Sequence, residues 1–171
     1  MEFETLFNDK TIKPKEKTEI LSQWVTNNAN KVNELITFAK ASKDPIKATC
    51  IESLEYASKL KPELANIIWL EFAIESLTEK APRIKWESAK VIGNIASLFP
   101  KKLDTAISNL LVNSEHEGTV VRWASAFALG EIIKLKLPIN KELLPTIETI
   151  IEREEKNSIK KIYQLALKKI K

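Results

Sequence analysis

The sequence has few of the residues on which covalent, metal-binding or nucleophilic sites depend. Its 171 residues include one cysteine, one histidine and three glycines. A single cysteine excludes an internal disulfide framework and a zinc site of the usual cysteine type. The one histidine, His116, has neither a second histidine nor a cysteine at a metal-ligand spacing, and no glycine-rich phosphate-binding loop occurs. We therefore expect no catalytic residues, no metal and no cofactor.

Long apolar runs are also absent. No stretch approaches the roughly 18 uncharged apolar residues that a membrane-spanning helix needs. The chain begins Met-Glu-Phe-Glu, which is acidic where a secretory signal is basic. With 44% hydrophobic residues and a net charge of +4, the composition is not that of a disordered chain. These features predict a cytoplasmic, globular protein without a membrane partner.

Charge is unevenly distributed along the chain. Residues 156–171 contain 6 of the 27 basic residues and no acidic residue. Residues 1–155 therefore contain 21 basic and 23 acidic residues, a net charge of −2. The high pI is a property of the C-terminal segment, and the rest of the chain is nearly neutral.

Apolar residues recur with the helical period of about 3.6 residues, and runs of strand-type alternation are short. Prolines stand just before or inside the first turn of these apolar segments, where the missing N–H costs nothing. The pattern predicts ten helices joined by short connections, which favour antiparallel neighbours. The expected helices cover residues 2–8, 14–27, 30–41, 45–60, 62–79, 82–98, 100–113, 118–136, 140–155 and 157–170.

Internal repetition is the strongest pattern in the sequence. The segment IKWESAKVIGNI (84–95) aligns with VRWASAFALGEI (121–132), sharing a basic residue, a tryptophan, a Ser-Ala pair and a glycine. Weaker copies occur at 46–57 and 159–170. A period of 37 to 38 residues with two helices per repeat predicts an α-solenoid, in which each repeat buries its apolar face by stacking on its neighbours.

The segment GTVVRWASAFALGEI resembles HEAT repeats of the bilin-lyase type, which carry Val-Arg, two small residues and Ala-Leu-Gly. The resemblance extends well over residues 82–136, more weakly over 44–81 and 138–171, and poorly before residue 44. It implies an all-α fold, a right-handed α-α superhelix of the armadillo/HEAT type with about ten helices in antiparallel pairs. We expect one domain over 1–171, with units at about 1–28, 29–60, 61–98, 99–137 and 138–171.

The resemblance also implies a structural ladder of basic residues that sets the register between repeats. Its members follow the apolar residue that opens each second helix, and they are Lys47, Lys85, Arg122 and Lys160. Carboxylates of the turns stand beside them in sequence, at Asp44, Glu79, Glu117 and Glu155.

A helical projection separates an inward stripe from an opposite face in the helix over 118–136. The stripe consists of Ser125, Ala128, Leu129 and Ile132. Trp123 and Phe127 lie on the other side, as Trp86 does in the preceding repeat. In HEAT-like proteins this second helix lines the concave surface, so we predict a partner-binding face there, composed of Trp86, Lys90, Asn94, Trp123, Phe127 and Glu131. Packing of the same rings into the groove is the alternative interpretation of these residues.

Three smaller expectations concern packing. Cys50 aligns with two serines at an inward position and should be buried. Gly93 and Gly130 should permit close approach of helices and tolerate enlargement poorly. The C-terminal helix should pack on the last repeat through Ile159, Ile162, Leu165, Ala166 and Ile170.

These observations favour a non-enzymatic scaffold that binds a protein or peptide on its concave face. The alternative is a nucleic-acid-binding or DNA-alkylation-repair-like HEAT protein, because HEAT-like alkylpurine glycosylases present tryptophans on a basic concave face. That class requires an aspartate one turn from a tryptophan, whereas Lys90 follows Trp86 and Phe127 follows Trp123. A bilin-lyase activity is a third hypothesis, without a reactive cysteine to support it. The sequence does not indicate an oligomeric state.

Overall fold

Ten α-helices and no strand occur in residues 1–170, the part of the chain that the computed structural model describes. The prediction of an all-α fold with about ten helices is confirmed. The helices are α1 (Phe3–Asn8), α2 (Pro14–Asn27), α3 (Val32–Ala41), α4 (Asp44–Leu60), α5 (Ile67–Ser76), α6 (Pro82–Ile95), α7 (Asp104–Asn113), α8 (Thr119–Ile133), α9 (Asn140–Arg153) and α10 (Asn157–Ile170). One short 3-10 turn, Ala29–Lys31, precedes α3, and a second, Pro62–Leu64, precedes α5. A third, Ala96–Leu98, follows α6.

Prolines begin three of the helices, since α2, α4 and α6 each have one in the first turn. The predicted start of α5 at residue 62 is wrong. Pro62 opens a 3-10 turn instead, and α5 begins at Ile67, after the Asn66 side chain accepts a hydrogen bond from the backbone N–H of Trp69 at 3.1 Å. An asparagine that caps in this way satisfies a free N–H group of the first turn and so favours a helix start at Ile67.

The even-numbered helices form one layer of the molecule and the odd-numbered helices the other. Each even-numbered helix packs extensively on the next even-numbered one, from α2 to α10, whereas successive odd-numbered helices touch little. Closely stacked helices on one side and more widely spaced helices on the other make a stack curve toward the close side. The even-numbered helices therefore lie on the inner side of the curve. The division into five units remains a prediction.

Burial in α8 confirms the predicted inward stripe, because its four residues are all fully buried. The buried surface is wider than predicted, however, and includes Ala124, Ala126 and Gly130. α8 packs between α6 and α10, so small residues on its flanks are covered as well. Cys50 is fully buried, as expected. Trp69 is fully buried as well, and Trp24 packs half-buried against the core.

The predicted packing face of α10 is partly wrong. Ile159 and Ala166 are buried as expected, but Leu165 is half exposed, and the fully buried residue is Tyr163. Positions 159, 163 and 166 lie on one face of a helix, at spacings of four and three residues, whereas Leu165 lies beside that face. The structure therefore rotates α10 so that an aromatic ring enters the core and a leucine remains at the surface.

Candidate functional site

The candidate site lies on the exposed surface of the even-numbered helices, which we call the inner face. Three of its predicted residues, Trp86, Lys90 and Asn94, follow one another at single-turn spacing along α6. Trp123, Phe127 and Glu131 occupy the corresponding places along α8. Because α6 and α8 pack directly against each other, the two rows are adjacent on one surface.

Trp123 and Phe127 form an aromatic stack on α8. Their ring centroids are 6.2 Å apart and their planes differ by 9°. Trp123 is 40% exposed, while Phe127 is half-buried over Gly93 of α6. A Cβ atom built on Gly93 would lie 2.5 Å from the Phe127 ring, so the glycine makes room for it. The exposed indole thus rests on a ring that the neighbouring helix fixes in place.

Trp86 has a different environment from Trp123. Its side chain is half-buried and packs against the core. The indole N–H donates a hydrogen bond of 2.7 Å to Oε1 of Glu87, the next residue on α6. The structure therefore gives Trp86 a large packing role and leaves Trp123 as the more accessible ring.

Two buried carboxylates and one ammonium group form a polar cluster between α4 and α6. Glu55 and Glu87 are 6% and 4% exposed. Lys90 Nζ lies 2.8 Å from a carboxylate oxygen of Glu87 and 3.6 Å from one of Glu55. We call these three residues the Glu55–Glu87–Lys90 cluster. One cation facing two buried carboxylates leaves the cluster with an excess of negative charge when all three groups are ionised.

The pKa shifts within the cluster follow from burial and charge. Desolvation raises the pKa of Glu55, and the negative charge of Glu87 raises it further. The positive charge of Lys90 lowers this pKa but offsets only part of the increase. Burial alone would lower the pKa of Lys90, but its hydrogen bond to Glu87 and the two carboxylate charges raise it. Lys90 is therefore held as a cation, and Glu55 is the residue whose charged form is disfavoured.

The remaining predicted residues are engaged within the protein. The Asn94 side-chain amide donates to the hydroxyl of Ser58 at 3.1 Å and to the backbone carbonyl of Glu55 at 3.3 Å. Glu131 forms an ion pair with Lys134 one turn further along α8. The Asn94 contacts connect α6 to α4, and the ion pair holds the Glu131 side chain. Trp123, in contrast, has exposed apolar surface.

A groove of about 270 Å³ runs between α8 and α10 beside the aromatic stack. Phe127 and Ile162 line it with apolar surface, and Lys134 and Lys169 lie at its charged edges. Leu165, which is 50% exposed, lines the same groove. The apolar surface of the inner face therefore continues from Trp123 onto α10.

Two predicted ladder residues contact the repeat that follows their own. Lys47 forms an ion pair with Glu79, in the turn between α5 and α6, rather than with Asp44 of its own turn. Lys85 donates to the side-chain oxygen of Asn113 on α7 at 3.0 Å. Since each partner residue lies about 30 positions further along the chain, each contact joins one helix pair to the next.

Arg122 makes the most extensive contacts among the ladder residues. Its Nε and Nη2 atoms donate to the carboxylate of Glu154 at 2.9 and 3.3 Å. Its Nη1 atom donates to the backbone carbonyl oxygens of His116 and Glu117, each at 2.9 Å. Arg122 thus bridges the turn before α8 and the turn before α10, while Lys160 lies half-buried on α10 itself. The register-setting role of the four residues remains a prediction.

Glu55 and Glu87, buried beside the inner face, were not predicted from sequence, and Leu165 was predicted as a packing residue of α10 rather than as a surface residue. The repeat alignment contained a signal for the first. Glu55 stands at the repeat position occupied by Gly93 and Gly130, which faces the next even-numbered helix. An acid in a column of glycines indicates a specific contact with the neighbouring helix. Glu87 and Leu165 carried no comparable signal in the repeat.

The described residues offer little for covalent or metal chemistry. Burial raises the pKa of the Cys50 thiol to about 12, so the thiol stays protonated at neutral pH. His116 accepts a hydrogen bond from the backbone N–H of Gly118 at 2.8 Å through Nδ1. Within residues 1–170, no three His, Cys, Asp or Glu residues are grouped as metal ligands would be. None of the helices described is long and apolar enough to span a membrane.

Solved structures with the same architecture include designed and natural repeat proteins. A designed armadillo repeat protein in complex with the peptide (KR)4 aligns with a TM-score of 0.71 at 15% identity, over 99% of this chain and 80% of that chain. An engineered protein aligns at 0.75 and 17% identity, over 98% of this chain and 46% of that chain. The complex of CpcE and CpcF of phycocyanin lyase from Nostoc sp. PCC7120 aligns at 0.72 and 16% identity, over 96% and 95% of the two chains.

No family model matches the sequence, and no curated protein matches it either. Structural likeness at these low identities shows the fold alone. Together with the helix arrangement, it shows that the chain has an armadillo/HEAT-type α-solenoid fold. The fold predicted from the HEAT-like segments is confirmed.

Proposed function

We propose that this α-solenoid is a non-enzymatic scaffold that binds a protein or peptide segment along its concave inner face. The observation that carries the proposal is the Trp123–Phe127 stack, because it presents an exposed indole on the inner face. Exposed aromatic anchors fixed from below are typical of binding hot spots. The groove between α8 and α10 extends the apolar surface to one side of the stack.

The comparisons support this proposal at the level of the fold. A designed armadillo protein with the same architecture is described in complex with a peptide. The phycocyanin lyase components share the fold too, but here the one cysteine is buried, with a pKa of about 12. A scaffold role therefore agrees better with the residues of this chain than a covalent transferase or lyase role.

Peptide display tests the proposal without knowledge of the natural partner. A library of random displayed peptides is selected on the immobilised protein, and enriched peptides are synthesised with a fluorescent label. Their affinities are measured by fluorescence polarisation for wild-type protein, Trp123→Ala and Val112→Ala. Val112 is also exposed but lies on α7, in the outer layer, so it is a matched control for loss of exposed apolar surface.

We expect Trp123→Ala to weaken binding by about 2 kcal/mol, or roughly 30-fold, because the indole is proposed as a hot spot. Val112→Ala should bind like the wild type. The proposal is wrong if selection enriches no peptide, or if the enriched peptides bind Trp123→Ala and wild type equally well.

A further inference from the structure

Leu165 lies on a ridge between two different concave surfaces of α10. On one side is the apolar groove of about 270 Å³ that contains Phe127 and Ile162. On the other side is a concavity of about 350 Å³ to which Lys160, Lys161 and Lys168 contribute. An apolar side chain placed against Leu165 would thus have lysines within reach.

Positive charge surrounds Leu165 on its own helix. Lys161, Lys168 and Lys169 are exposed and stand four residues before it, three after it and four after it, which are the positions next to it on a helix surface. α10 contains no acidic residue. The acid on the facing side of the groove, Glu131, is already paired with Lys134. The lysine charges therefore remain uncompensated by the groove itself.

Lys168 occupies the repeat position through which one even-numbered helix contacts the next. In the repeat alignment Lys168 takes the place of Gly130 in α8. A Cβ atom on Gly130 would lie 3.4 Å from Ala166 of α10, so the glycine position is where the next inner helix packs. Lys168 is exposed at this position, so it presents its charge on the flank of α10 beside Leu165.

We propose that the inner face recognises an acidic peptide segment in which an aromatic or aliphatic residue is flanked by aspartate or glutamate. The apolar residue contacts Leu165 and the Trp123–Phe127 stack, and the carboxylates lie against Lys161, Lys168 and Lys169. This inference rests on the proposed function and adds the chemistry of the partner to it. Charge complementarity carries it, since four lysines of α10 have no carboxylate partner among the described residues.

The amino-acid composition of the peptides enriched in the same selection tests the inference. We expect enriched peptides to be acidic and to contain at least one large apolar residue. Their affinity should fall about 10-fold or more between 50 and 300 mM salt, because screening weakens the lysine contacts. Enriched peptides that need Trp123 but are neutral or basic would overturn this inference and leave the proposed function intact.

A pair of charge-reversal variants tests the location. The Lys161→Glu/Lys168→Glu variant should weaken an enriched acidic peptide about 10-fold or more, mainly through slower association. The control, Lys101→Glu/Lys141→Glu, has the same net charge change but alters exposed lysines of the outer layer, and should change affinity less than 3-fold. Equal effects of the two variants would overturn the inference. Tighter binding of a fluorescent oligothymidylate than of the peptide, with an affinity that depends on Lys161 and Lys168, would also overturn the inference. It would indicate that this surface binds nucleic acid.

Discussion

At the scale of single residues, the Glu55–Glu87–Lys90 cluster is where burial and charge oppose each other most strongly. Lys90 can neutralise one buried carboxylate but not both. Glu87 receives the closer contact with Lys90 and the indole N–H of Trp86 as well. Glu55 therefore bears most of the desolvation cost, in agreement with the upward direction of its pKa shift.

Glu55→Gln should keep or raise the free energy of unfolding at neutral pH, since it removes a buried charge whose partner also binds Glu87. Because the pKa of Glu55 is higher in the folded state, wild-type stability should fall as pH rises from the ordinary glutamate pKa through the raised one. The Glu55→Gln variant should lack this pH-dependent fall in stability. Thermal melting of both proteins from pH 4 to 8 measures it, with Glu148→Gln, an exposed site on α9, as the control. A variant whose loss of stability relative to wild type grows as pH rises would show that the Lys90 contact outweighs desolvation.

The two inner-face tryptophans should differ in their effect on stability. Trp86→Ala removes half-buried packing and the donor to the buried Glu87 carboxylate, so we expect a loss of about 2 kcal/mol. Trp123→Ala should cost less than about 1 kcal/mol because much of the indole is already exposed. Urea unfolding measures both, and Trp86→Phe separates lost packing from the lost hydrogen bond. If Trp123→Ala costs as much as Trp86→Ala, Trp123 is a packing residue rather than a binding anchor.

At the scale of helices, the sequence predicted the elements well and their lateral contacts less well. Periodicity and prolines located all ten helices, and the α8 stripe was predicted because its apolar period is regular. The rotation of α10 was not predictable in the same way. Its apolar residues occupy two adjacent faces, and only the surface presented by α8 determines whether Tyr163 or Leu165 turns inward. Likewise, the partners of Lys47 and Arg122 depend on the spacing between repeats, which one sequence does not define.

The two helix glycines should respond to enlargement in opposite ways, although the sequence alone suggested that both are intolerant. Gly93→Ala would place a methyl group 2.5 Å from the Phe127 ring, so we expect a loss of about 1–3 kcal/mol and a displaced aromatic stack. In Gly130→Ala the methyl group would meet Ala166 at 3.4 Å, close to ordinary contact, and alanine favours the helix by about 1 kcal/mol. Gly130→Ala should therefore be neutral or stabilising. Urea unfolding and the fluorescence of Trp123 report the two effects. A Gly130→Ala variant as unstable as Gly93→Ala would mean that α10 cannot yield at this contact.

At the scale of the whole molecule, stability depends on contacts between successive helix pairs, as in other linear repeat arrays. Stacking of the even-numbered helices buries a core that is continuous along the chain. The forward contacts of Lys47, Lys85 and Arg122 add a polar connection at the last three of the four steps between helix pairs. Charge is not continuous, since the buried carboxylates lie near α4 and α6 and the lysines on α10. The regions around α6 and around α10 therefore differ in charge.

Removal of α10 tests whether this helix is integral to the array or an appended basic segment. A chain that stops at Lys156 loses the buried side chains of Ile159, Tyr163 and Ala166 and uncovers the flank of α8. Loss of one buried aromatic side chain alone costs about 3–5 kcal/mol, so the melting temperature should fall by about 10 °C or more. The Lys161→Glu/Lys168→Glu variant is the control, because it alters the exposed side of α10 and should melt within a few degrees of the wild type. An unchanged melting curve for the truncated chain would show that α10 does not stabilise α8, and the groove proposed to bind the peptide would then lack a fixed wall.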